Sequence, residues 1–330
     1  MKKTIYEDKY LIFDRPIIKN WKYYVKSILY GIDSIKYKFL LNTFKPKNTV
    51  AQKKYKISIC AIFRDEGAIL KEWIEYHKII GVEHFYLYNN LSEDNYKEVL
   101  APYIEQGLVT LINWPHQRSQ MEAYQNCVDV YKSESKWIGF IDLDEFVVPN
   151  KQYNTVYDFL EQFNSNRPMV IIYWRYFGSS GKIDRDRNNL VTEDFTLCYY
   201  KYANIGKFFY NTDYSYSPKE KYTIGLMHHR WGAYKKLNLP PVNVFDKLCI
   251  WGKHKVPSAE MPIQINHYLL KSYNEYKEKK AKRGGGIHEL QKGYHDDEYF
   301  FKHDSFCQGI DVNIYKYLVK LKLSLEIMEK

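Results

Sequence analysis

Apolar and polar positions follow two rhythms along this chain, and the rhythm changes near residue 55. Over residues 20–44, Trp21, Val25, Ile28, Ile32, Ile35 and Phe39 recur at spacings of three and four, which predicts a helix with one apolar stripe. Lys22, Lys26, Lys36 and Lys38 fall mostly off that stripe, and Pro46 ends the segment. From Tyr55 onward, short apolar runs alternate with helical stretches. The run ISICAIF (57–63) reads as a buried strand, followed by a helix over 68–80 through Ile69, Trp73, Tyr76 and Ile80 and a stop at Gly81. Then come a strand over 84–89, a helix over 94–106, a strand over 108–114 and a helix over 118–133. The apolar segment 137–146 reads as a fourth strand running into an acidic turn.

After Asn150 the pattern is less regular. It predicts a helix over 155–163 with Thr155 as its cap, a strand over 169–174 and a Gly/Ser loop over 176–181. Residues 182–222 are polar and tyrosine-rich and read as loops facing an acceptor, with further strands expected at 223–228 and 263–269. An amphipathic helix closes the chain, capped by Asp311 and striped by Ile314, Leu318, Leu321 and Leu325. Strands alternating with helices of 10–15 residues imply an α/β fold with a parallel sheet covered on both faces. The expected division is a basic helical arm over 1–56, a catalytic domain over 57–300 and the closing helix over 301–330.

Charge sharpens that division. Residues 1–56 hold fourteen of the 49 basic and four of the 39 acidic residues, which leaves 35 of each sign for the remainder. The net +10 therefore belongs to the arm, which speaks against a nucleic-acid-binding core. The arm's helix either lies on an anionic membrane surface or docks on its own catalytic domain with the same stripe. No stretch approaches about 18 apolar residues, so no spanning helix is expected. MKKTIYEDKYLIF has no long apolar core and no signal peptide is expected. The five cysteines show no CxxC spacing, which points away from zinc or a disulfide framework and toward a reducing cytosol. The 33 tyrosines suit either a core or the stacking of rings on a sugar.

Ligands of parallel α/β sheets sit beyond the carboxyl ends of the strands. Here those ends carry Arg64-Asp65-Glu66, Asn89-Asn90 and Asp142-Leu143-Asp144-Glu145, three polar clusters on one edge. Asp142 and Asp144 are two apart, so along an extended chain both point to one side. Paired carboxylates at a strand end suit Mg²⁺ or Mn²⁺, and such a cation stabilises a departing diphosphate. A solvated turn would leave these carboxylates with capping roles only.

The stretches CAIFRDEGAILKEWIEYHKIIGVEHFYLYNN, GFIDLDEFVVP, WRYFGSSG and INHYLLKSYNEYKEKKAKRGG resemble glycosyltransferase family 92 and related family-2-like bacterial enzymes, together covering roughly 57–290. The resemblance implies a GT-A fold, a divalent metal, a nucleotide-sugar donor (UDP above all) and an inverting mechanism. It implies transfer of a hexose such as galactose to a glycan or lipid-linked acceptor in surface polysaccharide synthesis. By that resemblance Asp142 reaches ribose and metal, Asp144 is the principal metal ligand, and His267 is a late metal ligand. A His after an apolar strand is otherwise a satisfied core residue. Arg64 and Glu66 stand where the nucleotide is held and Asp94 where its base is held, although Asn89 replaces an aspartate common among relatives. Lys271 and Arg283 are candidates to balance the diphosphate, or members of a solvated basic helix.

An inverting transfer needs a general base, and Glu145, Asp184 and Glu220 are the candidates, with His228 and His229 also placed near a strand end. Trp174 and Phe177 are candidates for an acceptor wall. Gly284-Gly285-Gly286 lacks the strand-to-helix setting of a phosphate loop and reads as a flexible lid. The expected location is the cytoplasm or the inner face of the membrane. Two other classes compete: a non-catalytic glycan- or membrane-binding protein on the same shell, and a nucleotidyltransferase. RDEGAIL is acidic where the latter carries a glycine-rich basic loop.

Overall fold

The computed structural model describes residues 4–13, 16–43, 52–164, 166–214, 239–250, 255–283 and 295–327. The expected strand at 223–228, Glu220, His228, His229 and Gly284–Gly286 lie outside the described residues, as does the side chain of Arg283. The main sheet holds nine strands, numbered here along the chain: β1 Tyr55–Phe63, β2 His84–Asn89, β3 Val109–Asn113, β4 Ser135–Phe140, β5 Glu145–Pro149, β6 Met169–Tyr176, β7 Gly206–Asn211, β8 Val242–Asn243 and β9 Ile263–His267. Their spatial order is β3-β2-β1-β4-β7-β6-β9-β5, with β8 beside β6.

The first four strands form the parallel half that the alternation predicts, joined by helices α1 Gly67–Ile79, α2 Tyr96–Glu105 and α3 Gln120–Tyr131. Beyond β4 the sheet turns mixed. β7 runs antiparallel to both β4 and β6, and β9 is parallel to β6 but antiparallel to β5. A wholly parallel sheet is thus corrected, and so is a single strand over 137–146. The chain leaves β4 at Phe140, turns through the acidic residues and re-enters the sheet as β5, three places beyond β7.

The strand β7 is six consecutive buried residues inside the stretch expected to be loops. Its fit depends on two glycines. Gly139 of β4 faces Phe209, whose ring would lie 2.6 Å from a Cβ there. Gly206 opens β7 so close to β6 that a Cβ would meet the Ile172 carbonyl oxygen at 1.9 Å. The short helix Val156–Leu160 has the Thr155 cap foreseen, completed by Asp158.

Large aromatics fill the core, among them fully buried Trp73, Trp137, Tyr76, Tyr86 and Tyr88. Buried phenols need partners. Tyr76 donates to the Val147 carbonyl at 2.9 Å and Tyr88 to Asn126 at 2.8 Å. Many tyrosines are therefore structural. All five cysteines are free and buried.

The basic helix forms as Trp21–Thr43, but the expected stripe does not dock. Trp21, Ile28, Ile32, Ile35 and Phe39 are each at least 60% exposed and Val25 is 43% exposed. The helix meets the body through Tyr30 and Leu41, which are buried; the Tyr30 hydroxyl donates to the Leu248 carbonyl at 3.4 Å, and Lys255 sits over its ring. Ahead of it, Leu11–Ile12 pairs in parallel with Tyr202–Ala203. At the other end, Ile314 and Leu321 are buried as foreseen, while Asp311 accepts the Asn313 N–H at 2.9 Å. The closing region is a 3₁₀ turn Asn313–Tyr317 followed by a helix Leu318–Ile327.

Candidate active site

Four strand ends and one helix pair build the site. β1 and β2 end in loops that are laced together. Asp65, in a left-handed conformation, accepts the Glu93 N–H at 2.7 Å and donates its own N–H to Ser92 at 2.9 Å. Asp94 accepts the Gly67 N–H at 2.6 Å, so its charge meets the positive N-terminal end of α1. Arg64 is about half exposed beside Asp65. Glu66 forms an ion pair with Lys279. The N-terminal end of α1 is thereby tied to the segment following β9.

The acidic turn is held from below by α1 and from the side by β7. Trp73 donates its indole N–H to the carbonyls of Asp142 (3.1 Å) and Glu145 (2.9 Å). Asp142 is engaged at both oxygens: Gln120 and Tyr124 of α3 donate to one at 2.9 Å each, and Lys207 of β7 donates to the other at 2.8 Å. Lys207 is fully buried and also lies 3.7 Å from Glu145. Burial works against its charge, but Asp142 and then Glu145 outweigh that and raise its proton affinity.

Glu145 is fully buried as well. One oxygen accepts the Asp142 N–H at 3.0 Å, and the other has no hydrogen-bond donor among the described residues. Burial pushes its carboxyl well above the usual range, against the pull of Lys207. A group so enclosed offers no oxygen to an acceptor hydroxyl, so its place in the site is to hold the turn or share a cation.

Asp144 points the other way. His267 of β9 lies 3.5 Å from its carboxylate and Lys280 3.1 Å. Burial alone would raise this carboxyl, but Lys280 above all holds it well below its usual value. Burial keeps His267 neutral, and its Nδ1 also lacks a partner among the described residues. Asp144, Glu145 and His267 bring one ligand atom each within 4.8 Å of one another. Two carboxylates, an imidazole, and orphaned buried polar atoms on two of the three fit a divalent cation such as Mn²⁺. Asp142, also expected among the ligands, has both oxygens hydrogen-bonded, one by Gln120 and Tyr124 and the other by Lys207.

The remaining expected residues divide. Trp174 stands between the two halves of the site, its ring 4.8 Å from His267 and 5.8 Å from the Lys207 amine. Phe177 is 1% exposed and packed on Tyr268, which leaves no ring face for an acceptor. Lys271 contributes to the positive field on Asp144. Asp184 is exposed on a loop that docks on the helix Tyr273–Glu278, and its carboxylate accepts the Arg185 N–H at 2.8 Å. Lys207 escaped the sequence reading, although a lone lysine inside the apolar run GKFFYN was a signal, since a buried lysine needs a carboxylate partner. Lys280 lies in the basic stretch before Arg283 and carries no separate signal in the sequence.

The model of the family described as "Glycosyltransferase family 92" matches residues 53–302. A glycosyltransferase family 92 protein of Oryza sativa subsp. japonica is 34% identical over 146 residues, covering 43% of this chain and 24% of that protein. A galactan beta-1,4-galactosyltransferase of Arabidopsis thaliana is 34% identical over 108 residues, covering 29% of this chain and 21% of that one. The match thus spans about a quarter of those curated relatives' length or less. Among solved structures, S. aureus TarS 1–349 in complex with UDP overlaps 40% of this chain and 38% of its own, at TM-score 0.30 and 10% identity. The mannosyltransferase PcManGT of Pyrobaculum calidifontis in complex with GDP-Man and Mn²⁺ overlaps 46% and 44%, at TM-score 0.29 and 13% identity.

Proposed function

Because this chain belongs to glycosyltransferase family 92, we propose that it moves a hexose, galactose in the first instance, from a UDP-sugar to a hydroxyl of a glycan or lipid-linked acceptor. In that reaction the bond between the anomeric carbon and the diphosphate oxygen breaks, and the acceptor oxygen bonds the anomeric carbon from the opposite face. The acceptor's proton passes to a base, and the nucleoside diphosphate leaves with the bonding electrons. Asp144, Glu145 and His267 would hold a Mn²⁺ or Mg²⁺ ion, which supplies Lewis-acid neutralisation of the departing diphosphate.

The chain's own residues do the rest. Lys207 keeps two neighbouring carboxylates, Asp142 and Glu145, compatible in one turn, so the site is built before the donor arrives. Lys280 and Lys271 place positive charge beside Asp144, where charge develops on the leaving group. The Arg64–Glu66 loop and Asp94 form one laced rim at the ends of β1 and β2, suited to a nucleoside. The candidates for that base are Asp184, Glu220, His228 and His229, since Glu145 is fully buried.

The observation that carries the reading is the meeting of the acidic turn with His267 and two lysines at the carboxyl ends of β4 and β9. Thermal melts with UDP, UDP-galactose, UDP-glucose and GDP-mannose, with and without Mn²⁺, test it. A rise in melting temperature that needs both the ion and a uridine nucleotide supports the proposal. No rise at millimolar ligand, together with no transfer or donor hydrolysis, overturns it.

A further inference from the structure

The helix Trp21–Thr43 is bound to the body by one face and presents the opposite face to solvent. An α-helix turns about 100° per residue, which places Trp21, Val25, Ile28, Ile32, Ile35 and Phe39 within an arc of roughly 80°. All six are exposed. Tyr30 and Leu41, which make the buried contact, fall on the far side. Six large apolar side chains in one exposed line exceed the scattered exposure of an ordinary surface. Lys22, Lys26 and Lys36 flank the stripe on one edge and Lys38 on the other, against Asp33 as the helix's one acid.

We infer that this stripe seats the protein on an anionic lipid bilayer, with the helix axis in the plane of the surface. The charge pattern decides among occupants. A second copy would bring two lysine-flanked stripes together, like charge against like. An anionic headgroup layer instead meets the lysines while the stripe enters the acyl boundary. The helix does not cross: none of the described helices is long and apolar enough. Tyr30 and the pairing of Leu11–Ile12 with Tyr202–Ala203 fasten the helix to the body, so lipid contact would orient the whole enzyme and not a loose tail. This inference stands apart from the transfer reading and survives its failure.

Sedimentation of the full chain with vesicles of phosphatidylcholine, with and without phosphatidylglycerol, tests it, alongside light scattering without lipid. Binding should require the anionic lipid, fall steeply between 50 and 500 mM salt as charges are screened, and drop at least tenfold in Ile28→Glu/Ile32→Glu. The lysine-to-glutamine quadruple variant at 22, 26, 36 and 38 should lose about as much. Since these side chains are exposed, far-ultraviolet circular dichroism melts should stay unchanged and separate lost binding from lost folding. Equal binding to neutral vesicles, no binding at all, or a lipid-independent dimer that Ile28→Glu dissolves would each overturn the inference.

Discussion

Lys207 carries a larger share of the site than any residue singled out by pattern. It is one buried amine serving two carboxylates. Removing one partner of a buried charge cluster costs about 3–5 kcal/mol, because the other charges stay behind uncompensated. Lys207→Met should therefore lower the melting temperature sharply and abolish transfer, while Lys207→Met with Glu145→Leu should recover much of the stability but not the activity. Differential scanning calorimetry with a transfer assay checks both halves. Asp144→Ala has a different signature. It removes a carboxylate that Lys280 holds ionised, so the melting temperature should fall, though less than in Lys207→Met, while cation-dependent transfer drops by about 100-fold or more. A variant as active as the parent in excess chelator would remove the metal from the mechanism. The acidic turn was legible in the sequence because carboxylates directly after an apolar run have few innocuous explanations. Lys280 was not, because it gains meaning only from Asp144, distant in the chain, and Lys207 left only the indirect signal of a lysine in an apolar run.

At the scale of elements, α1 is clamped to the new strand β5 by His77. Its Nδ1–H donates to the Trp73 carbonyl at 2.8 Å, and its Nε2 accepts the Val147 N–H at 3.4 Å, so both ring nitrogens are committed in the neutral form. Burial lowers its proton affinity from the usual 6.5 to about 3. The unfolded chain then binds the extra proton first, below pH 6.5. Stability is full above that value and is lost as the pH falls toward 3, at up to about 1.4 kcal/mol per pH unit. His295 and His303, each lowered to about 4, act in the same direction. Melting temperatures measured from pH 7.5 to 4 should show this decline, and His77→Gln should flatten its steepest part. Gly206→Ala should cost about 1–3 kcal/mol by forcing β7 away from β6, which a shifted urea midpoint would register. The parallel half was readable because β1, β2, β3 and β4 are apolar runs separated by periodic helices. β7 was not, since its pairing with β4 and β6 rests on two glycines and a buried ion pair, features without period. The break between β4 and β5 was hidden because apolar residues continue on both sides of it.

For the whole molecule, the basic segment and the sheet support each other. Leu11–Ile12 covers Tyr202–Ala203, Lys201 donates to the Asp8 carbonyl, and Tyr30 reaches the 239–250 stretch. A chain beginning at residue 52 should therefore melt lower than the full chain, with its acidic site intact; an unchanged melting temperature would show that these contacts add nothing. The charge asymmetry was plain in the sequence. The direction in which the stripe faces was not, because periodicity places six apolar residues on one side of a helix without saying which side the protein uses.

The clasp between the Leu11–Ile12 strand and its partner also has a history. Lys201 and Asp8 are 193 residues apart in the chain. At a synthesis rate of roughly 5–20 residues per second, the opening segment waits for about 10–40 seconds before its partner strand exists. During that interval the helix has neither face covered, and its tyrosine side is as available to chaperones or lipid as its stripe. Closure of the clasp is then a late event of synthesis, because it joins segments 193 residues apart.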